Sequence, residues 1–196
     1  GSYIGSDAIA LAHITQRVIY LKDHDYALVE ANNVSVFLFD GTPVVRETVI
    51  VAASFGVIDK GGYRHFMEKE IHEQPTAIVN SLAAMTGSDG KLSAGMSVED
   101  LRKIDGIVML AAGTSHIASL VGRYWIEGLA KTAVTCEFAS EYHYREPVTA
   151  KYNTAVAISQ SGESLDTLKA MRHASGQNLS TIALVNVLGS SIAREA

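Results

Sequence analysis

One short passage, ISQSGESLDTLKAM at residues 158–171, sets the fold of this chain. It closes an apolar run, places three serines, a glutamine and a glycine within six positions, and then continues with apolar residues at helical spacing. An ordinary helix start needs only one capping hydroxyl. The passage therefore predicts a strand, a polar loop with a task beyond capping, and a helix.

The same pattern recurs on both sides of this passage. Continuous apolar runs are typical of strands that are buried on both faces of a sheet. Their alternation with helical patterns predicts a parallel sheet with right-handed crossovers, so the fold class is α/β, a parallel sheet flanked by helices. The runs are GIVMLAA (106–112), AVTCEFA (133–139), NTAVAIS (153–159) and STIALVN (180–186), and the helix after the first carries Ile117, Leu120, Val121, Tyr124 and Gly128 on one side.

Three of these strands end in a polar loop that leads into a helix. Loops at the carboxyl ends of parallel strands emerge at one edge of the sheet, where ligands bind. The candidate binding residues are Gly113, Thr114 and Ser115 in the first loop and Ser159, Gln160, Ser161 and Ser164 in the second, while Gly189, Ser190 and Ser191 form the third.

The 159–164 loop suits a phosphate group. Free N–H groups at a helix N-terminus and the helix dipole favour an anion, glycine permits close approach, and serine hydroxyls add donors. No Lys or Arg lies between Asn153 and Leu168, so binding would use neutral donors. This favours a sugar phosphate that must leave again over a nucleoside triphosphate, and neither GxxxxGK[ST] nor GxGxxG occurs at these loops.

Simpler interpretations exist for each of these residues. Ser161 or Ser164 could be an N-cap and Gly162 a turn residue, and Ser190 and Ser191 show nothing beyond capping. Glu163 would repel a phosphate unless its carboxylate points away.

Histidine and cysteine provide no clear site. The seven histidines are scattered, and His65 and His72 are too far apart for a helical metal pair. His116 follows Ser115 at the presumed ligand edge, but a satisfied structural histidine is the favoured interpretation. Cys136, the single cysteine, fits a small buried apolar group and a reducing compartment.

The first third of the chain has a different pattern. RVIYLK (17–22), DYALVEA (25–31), NVSVFLFD (33–40) and PVVRETVIV (43–51) are short runs with turn residues between them, which predict an antiparallel meander after a short helix near residues 6–14. Residues 63–74 predict a helix, Pro75 the first turn of a second helix, and residues 86–95 an exposed loop.

Composition excludes several classes of function. The chain has 196 residues, 47% of them hydrophobic and 19% charged, with a formal net charge of −5, so a broad basic surface for nucleic acid is not expected. The apolar runs are far shorter than the roughly 20 residues that cross a bilayer. The sequence starts without Met and stops inside a helical pattern, so we expect further residues at both ends.

Several motifs in a fixed order resemble one family. YRHFMEKEIHEQPTAI, AAGTSHIASLVGRYWIEGLA, EFASEYHYREP, ISQSGESLDTLKAMRHA and NVLGSSIAREA are similar to the glutamine–fructose-6-phosphate aminotransferase family over nearly all of residues 59–196. GSDAIALAHITQRVIYLKDHDYALV resembles the end of that family's glutaminase domain.

The resemblance implies an organisation and a function. Residues 1–58 would be a β-rich remnant of a class II glutaminase domain, residues 59–100 connecting helices and a loop, and residues 101–196 a truncated first SIS (sugar isomerase) domain. The family releases ammonia from glutamine and transfers it to fructose 6-phosphate, which gives glucosamine 6-phosphate, without a metal or organic cofactor. It works as a cytoplasmic homodimer or larger assembly.

The resemblance also assigns roles to residues. Ser159, Gln160, Ser161 and Ser164, completed by Ser115, match the family's phosphate-binding loop, and Gly113 and Thr114 match its sugar-contacting loop. The family often has Cys at Ala112 and Thr at Ser164. The catalytic residues are expected outside this chain, so the segment alone should be inactive.

Other functions stay open at this point. The chain could belong to a non-catalytic sugar-phosphate sensor, to a related deglycase or isomerase with two SIS domains, or to a structural SIS module that binds nothing. The β-rich residues 1–58 count against the sensor, the deglycase and the isomerase, because such proteins would normally lack a glutaminase part.

Overall fold

A computed structural model of the chain describes residues 1–5, 8–11, 14–50, 60–87, 90, 95–187 and 189–196, with only the backbone at residue 9. The chain divides into two compact units, Gly1–Leu82 and Ala83–Ala196. The first contains antiparallel strands and most of a long helix, and the second is a parallel α/β unit.

The first unit begins with a short helix, α1 (Ala8–Leu11), which lies within the predicted range of residues 6–14. Among the described residues of this unit, five strands follow: β1 (Arg17–Ile19), β2 (Asp25–Val29), β3 (Val34–Leu38), β4 (Pro43–Val44) and β5 (Thr48–Ile50). Strands β2, β3 and β4 form an antiparallel meander, while β1 pairs with β5 instead of with β2.

The predicted single strand over residues 43–51 is wrong, because its two halves pair with different partners. β4 continues the meander on β3, and β5 pairs with β1. Between the two halves, Arg46 donates two hydrogen bonds to the Asp25 carboxylate, with Nε–Oδ2 at 2.8 Å and Nη2–Oδ1 at 2.7 Å. This bidentate ion pair attaches the turn after β4 to the start of β2.

The long helix α2 spans Phe66–Ala84 without interruption and contains Pro75. The predicted break at Pro75 is therefore wrong. Proline's fixed φ of about −65° is itself helical, so proline can occupy a helix interior at the cost of one hydrogen bond and a local clash with the preceding turn. The predicted loop over residues 86–95 lies largely outside the described residues.

The second unit contains the predicted parallel sheet. Its described strands are β6 (Gly106–Ala111), β7 (Ala133–Phe138), β8 (Thr154–Ser159) and β9 (Ser180–Val185). These strands pair in parallel in the order β7-β6-β8-β9. The described helices are α3 (Val98–Arg102), α4 (Gly113–Leu129), α5 (Ala139–Tyr142), α6 (Leu165–Gly176) and α7 (Ser191–Glu195).

Both faces of this sheet are covered, as the unbroken apolar runs predict. Along β6, Val108 and Leu110 pack on one face with residues of α5 and α6, including Tyr142 and Ala170. Met109 points to the opposite face, which α4 covers. Successive side chains of a strand alternate between faces, so every residue of β6 is buried.

The sheet-facing side of α4 is not the side with the large apolar residues. His116 and Ser119 are buried, while Ile117 and Tyr124 are 61% and 75% exposed. The predicted grouping of Ile117, Leu120, Val121 and Tyr124 on one side of the helix exists, but this side faces away from the sheet. Small and polar residues let α4 approach the sheet closely, and a Cβ at Gly122 would lie 3.8 Å from Met109 Cε.

Candidate functional site

The strand order places two of the polar loops next to each other. The chain leaves β6 toward β7 on one side and leaves β8 toward β9 on the other. Ala111 at the end of β6 is in register with Ile158 near the end of β8. A point where neighbouring parallel strands connect in opposite directions forms a crevice at their carboxyl ends, where α/β proteins bind ligands.

Two serines in the 159–164 loop accept hydrogen bonds from the loop's own backbone. Gly162 N–H donates to Ser159 Oγ at 3.0 Å, and Glu163 N–H donates to Ser161 Oγ at 3.2 Å. Each hydroxyl still carries a proton that it can donate, because it is the acceptor in these bonds. Ser159 is buried, while Gln160 and Ser161 are exposed.

The N-terminus of α6 has free donors. Ser164 is its N-cap residue, but its side chain makes no capping bond and instead accepts from Thr167 Oγ1 at 3.0 Å. Within the described part of the chain, no group accepts a hydrogen bond from the backbone N–H of Ser161, Leu165 or Asp166. A 12-residue helix with uncapped first-turn N–H groups offers an external anion both donors and a favourable dipole.

The 113–115 loop begins α4 directly after β6. Its N-cap residue is Ala112, which has no capping side chain, and Gly113 adopts a left-handed φ of +54°. Thr114 is exposed and Ser115 half-buried. The first turn of α4 is therefore also without a side-chain cap, at the edge from which the 159–164 loop emerges.

The third loop packs against the second. Ser191 N–H donates to the Glu163 carboxylate at 2.9 Å, and Ile192 N–H donates to the Gly162 carbonyl at 3.0 Å. The Glu163 carboxylate thus has its own partner at the start of α7. The carboxylate is therefore directed at α7, which is the orientation that the sequence-based objection requires.

Ser190 occupies the N-cap position of α7, but its side chain makes no capping hydrogen bond, contrary to the expectation from sequence. Its Oγ is buried and lacks a hydrogen-bond partner among the described residues. It lies directly against Gly162, where a Cβ added to the glycine would fall 2.0 Å from Ser190 Oγ. Gly162 has a φ of +68°, so both its conformation and this contact require glycine.

Sequence reasoning missed one cation near these loops. Arg194 Nη1 donates to the Gly189 carbonyl, and its Nη2 donates to Ser191 Oγ at 3.2 Å. The helical spacing of three residues between Ser191 and Arg194 was the available signal. The guanidinium lies beside the third loop.

His116 is buried at the start of α4. Its ring stacks on Phe138 at a centroid distance of 3.8 Å, and its Nδ1 has no hydrogen-bond partner among the described residues. The expected structural histidine is therefore buried by stacking but not fully hydrogen-bonded. Cys136 is half-buried and its Sγ donates to the Ser119 carbonyl at 3.3 Å, in keeping with a small packing residue.

Neither a metal-ligating cluster nor a membrane-spanning helix occurs among the described residues. No three His, Cys, Asp or Glu side chains gather there in a way that could hold a metal ion. No helix in the described ranges combines the length and the hydropathy of a bilayer-spanning segment.

Comparison with known proteins agrees with this fold. The family model described as the SIS domain matches residues 100–196. The chain is 42% identical over 196 residues to glutamine–fructose-6-phosphate aminotransferase [isomerizing] of Zymomonas mobilis, and 42% identical to that of Bradyrhizobium diazoefficiens. The matches cover 100% and 99% of this chain, but the chain spans only 32% of the length of either relative.

A solved structure shows the same similarity in three dimensions. It is the C-terminal domain of glucosamine-fructose-6-phosphate aminotransferase from Francisella tularensis, with a TM-score of 0.65 and 40% sequence identity. The alignment covers 70% of this chain and 39% of that one. The chain therefore carries a SIS domain over residues 100–196 and, along its whole length, belongs to the family of the glutamine–fructose-6-phosphate aminotransferases, of which it spans about a third.

Proposed function

We propose that the second unit binds the phosphate group of a sugar phosphate at the N-terminus of α6. The backbone N–H groups of Ser161, Leu165 and Asp166 would face the phosphate oxygens. Hydroxyl donors complete the site, and the 113–115 loop contacts the sugar. The residues proposed for binding are Gly113, Thr114, Ser115, Ser159, Gln160, Ser161 and Ser164.

The observation that carries this proposal is the uncapped start of α6. A helix end without partners for its N–H groups needs water, a side chain or a ligand to satisfy them. Here the hydroxyl of Ser164, the N-cap residue, accepts a hydrogen bond from the Thr167 side chain and does not cap the helix. The loop thus keeps its backbone donors available while it holds two more hydroxyls close by.

For the whole protein we propose the reaction that the relatives' name describes, the amination of fructose 6-phosphate by glutamine to give glucosamine 6-phosphate and glutamate. In this proposal residues 1–58 are the end of a glutaminase domain, and residues 101–196 supply the sugar-phosphate loops of the first SIS domain. Residues 59–100 form the helices and loop that connect these two domains. The catalytic residues lie elsewhere in the longer protein, which we propose to be a cytoplasmic homodimer or larger assembly.

The extent of the similarity supports this function over the alternatives. Relatives of one name match 98–100% of the chain, including its β-rich first unit. A sensor, a deglycase or an isomerase built on SIS domains would normally match residues 100–196 alone. We expect no detectable amination of fructose 6-phosphate by this chain on its own, and measurable product would contradict that expectation.

Titration of the purified chain with fructose 6-phosphate by calorimetry tests the binding site. Ser161→Ala removes one hydroxyl donor to a doubly charged anion, which should weaken binding by roughly 1.5–3 kcal/mol, or about 10- to 150-fold. Ser175→Ala is the matched control, because Ser175 is exposed near the other end of the same helix. Equal affinities of all three proteins would remove Ser161 from the site.

A further inference from the structure

Glu163 connects the 159–164 loop to α7 by its side chain and its neighbouring backbone. The carboxylate Oε1 accepts from Ser191 N–H at 2.9 Å, and the Gly162 carbonyl accepts from Ile192 N–H at 3.0 Å. Two adjacent residues of the loop are thus hydrogen-bonded to two adjacent residues of the helix. Two such bonds restrict the orientation of the peptide group between Gly162 and Glu163.

That peptide segment in turn orients the loop's serines. Gly162 N–H donates to Ser159 Oγ, and Glu163 N–H donates to Ser161 Oγ. A hydroxyl that accepts a hydrogen bond from a fixed N–H must point its own proton elsewhere. The direction in which Ser159 and Ser161 can donate therefore depends on how residues 162 and 163 are held.

Gly162 also packs against the residue that precedes α7. Its φ of +68° places its α-carbon against the buried Ser190 hydroxyl, which forms no hydrogen bond among the described residues. Ser190 therefore contributes contact but no directional bond. The N–H groups of Ser191 and Ile192 provide hydrogen bonds between this turn and α7.

We propose that Glu163 is a positioning residue for anion binding, which acts through its hydrogen bond to Ser191 N–H and not through contact with the ligand. The inference rests on the proposed sugar-phosphate site. It also accounts for a carboxylate in this loop, because the hydrogen bond from Ser191 N–H favours an orientation toward α7.

Two variants of Glu163 separate this role from that of a nearby negative charge. Glu163→Ala removes both the charge and the hydrogen bond, whereas Glu163→Gln removes the charge and keeps an oxygen acceptor of the same reach. We expect Glu163→Ala to weaken fructose 6-phosphate binding by roughly 3- to 10-fold, the equivalent of one hydrogen bond. Glu163→Gln should bind as well as the parent chain or slightly more tightly.

The control is Glu195→Gln on the same short helix. Glu195 pairs with Arg172, with Nε–Oε2 at 2.6 Å, and does not touch the loop. It tests whether any loosening of α7 is enough to weaken binding. We expect unchanged affinity in this variant.

Backbone amide spectra of the same proteins provide a second measurement. In the parent chain and in Glu163→Gln, the amide resonances of Gly162 and Glu163 should shift when fructose 6-phosphate is added, and their hydrogen exchange should be slow. In Glu163→Ala, exchange at these two amides should accelerate while the amides of β8 are unaffected.

The outcomes distinguish the inference from the proposed function. Tighter binding in both Glu163→Ala and Glu163→Gln would show a charge that merely repels and would overturn the positioning role. A Ser161→Ala effect without a Glu163→Ala effect, or an equal loss in Glu195→Gln, would also overturn it while the site itself survives. Absence of binding by the parent chain would overturn both proposals.

Discussion

The contact between Gly162 and Ser190 leads to a quantitative prediction for Gly162→Ala. The substitution forces an L-residue to a φ of +68°, at a cost of about 1–2 kcal/mol. Its Cβ would also fall 2.0 Å from Ser190 Oγ and 2.5 Å from Ser190 Cβ, both part of a buried residue. Overpacking of this kind typically adds about 1–3 kcal/mol, so the total loss should be roughly 2–5 kcal/mol.

Two other glycines provide matched controls for this prediction. Gly113 has a φ of +54° but open space where a Cβ would lie, so Gly113→Ala should cost only the conformational part, about 1–2 kcal/mol. Gly176, at the end of α6, has neither a left-handed φ nor a close neighbour. Gly176→Ala should therefore be neutral or stabilise the protein by up to about 1 kcal/mol.

Urea denaturation measures these differences. Trp125 is the only tryptophan of the chain and lies in α4, so its fluorescence reports on the second unit, and circular dichroism follows the whole chain. Adding Ser190→Gly to Gly162→Ala should recover the overpacking part, because the clashing Cβ and Oγ are both removed. A Gly162→Ala cost no larger than that of Gly113→Ala, or no recovery on adding Ser190→Gly, would contradict a clash between residues 162 and 190.

Three further predictions concern other parts of the chain. Leu110→Ala leaves a cavity at a fully buried position in β6 and should lower the free energy of unfolding, measured in urea titrations, by about 2–5 kcal/mol. A loss below about 1 kcal/mol would contradict the close packing of Leu110 in the core. The hydrogen bonds from Arg46, with a further one from Lys22 N–H, lower the pKa of Asp25 to about 2. The stabilisation should therefore be complete above the ordinary value near 3.8 and disappear as the pH falls through about 2. Carbon-13 NMR should show Arg46→Gln raising this pKa toward its ordinary value, and an unchanged titration would argue against the pair. Pro75→Ala should restore a backbone N–H donor to the Ile71 carbonyl and stabilise α2 by up to about 3 kcal/mol. Thermal unfolding followed by circular dichroism measures this gain, and a loss of helix signal would contradict a continuous helix through residue 75.

Much of the second unit could be predicted from local patterns. Continuous apolar runs such as residues 106–112 predict buried strands, and the spacing of helices between them predicts parallel pairing. The α/β class and the parallel sheet are both confirmed. Local patterns succeed here because a strand that is buried on both faces must be apolar along its whole length, which is visible in that segment alone.

Prediction was weaker in the first unit and at Pro75. Short strands with polar turns permit several pairings, so the pairing of β1 with β5 and the split at Arg46 did not follow from residues 17–51 alone. The helix through Pro75 shows the same limit, because one lost hydrogen bond can be outweighed by the remaining turns.

The residues of the 159–164 loop fix its chemistry: it has serine hydroxyls, a glycine and a helix start, with no cation between residues 153 and 168. The partners of these groups depend on the packing of the sheet. The strand order β7-β6-β8-β9 brings the loops after β6 and β8 to one switch point, and contact with residues 190–192 gives Glu163 and Gly162 their partners. Composition and spacing act within a segment, whereas strand order and hydrogen bonds between loops depend on the simultaneous packing of segments that are distant along the chain.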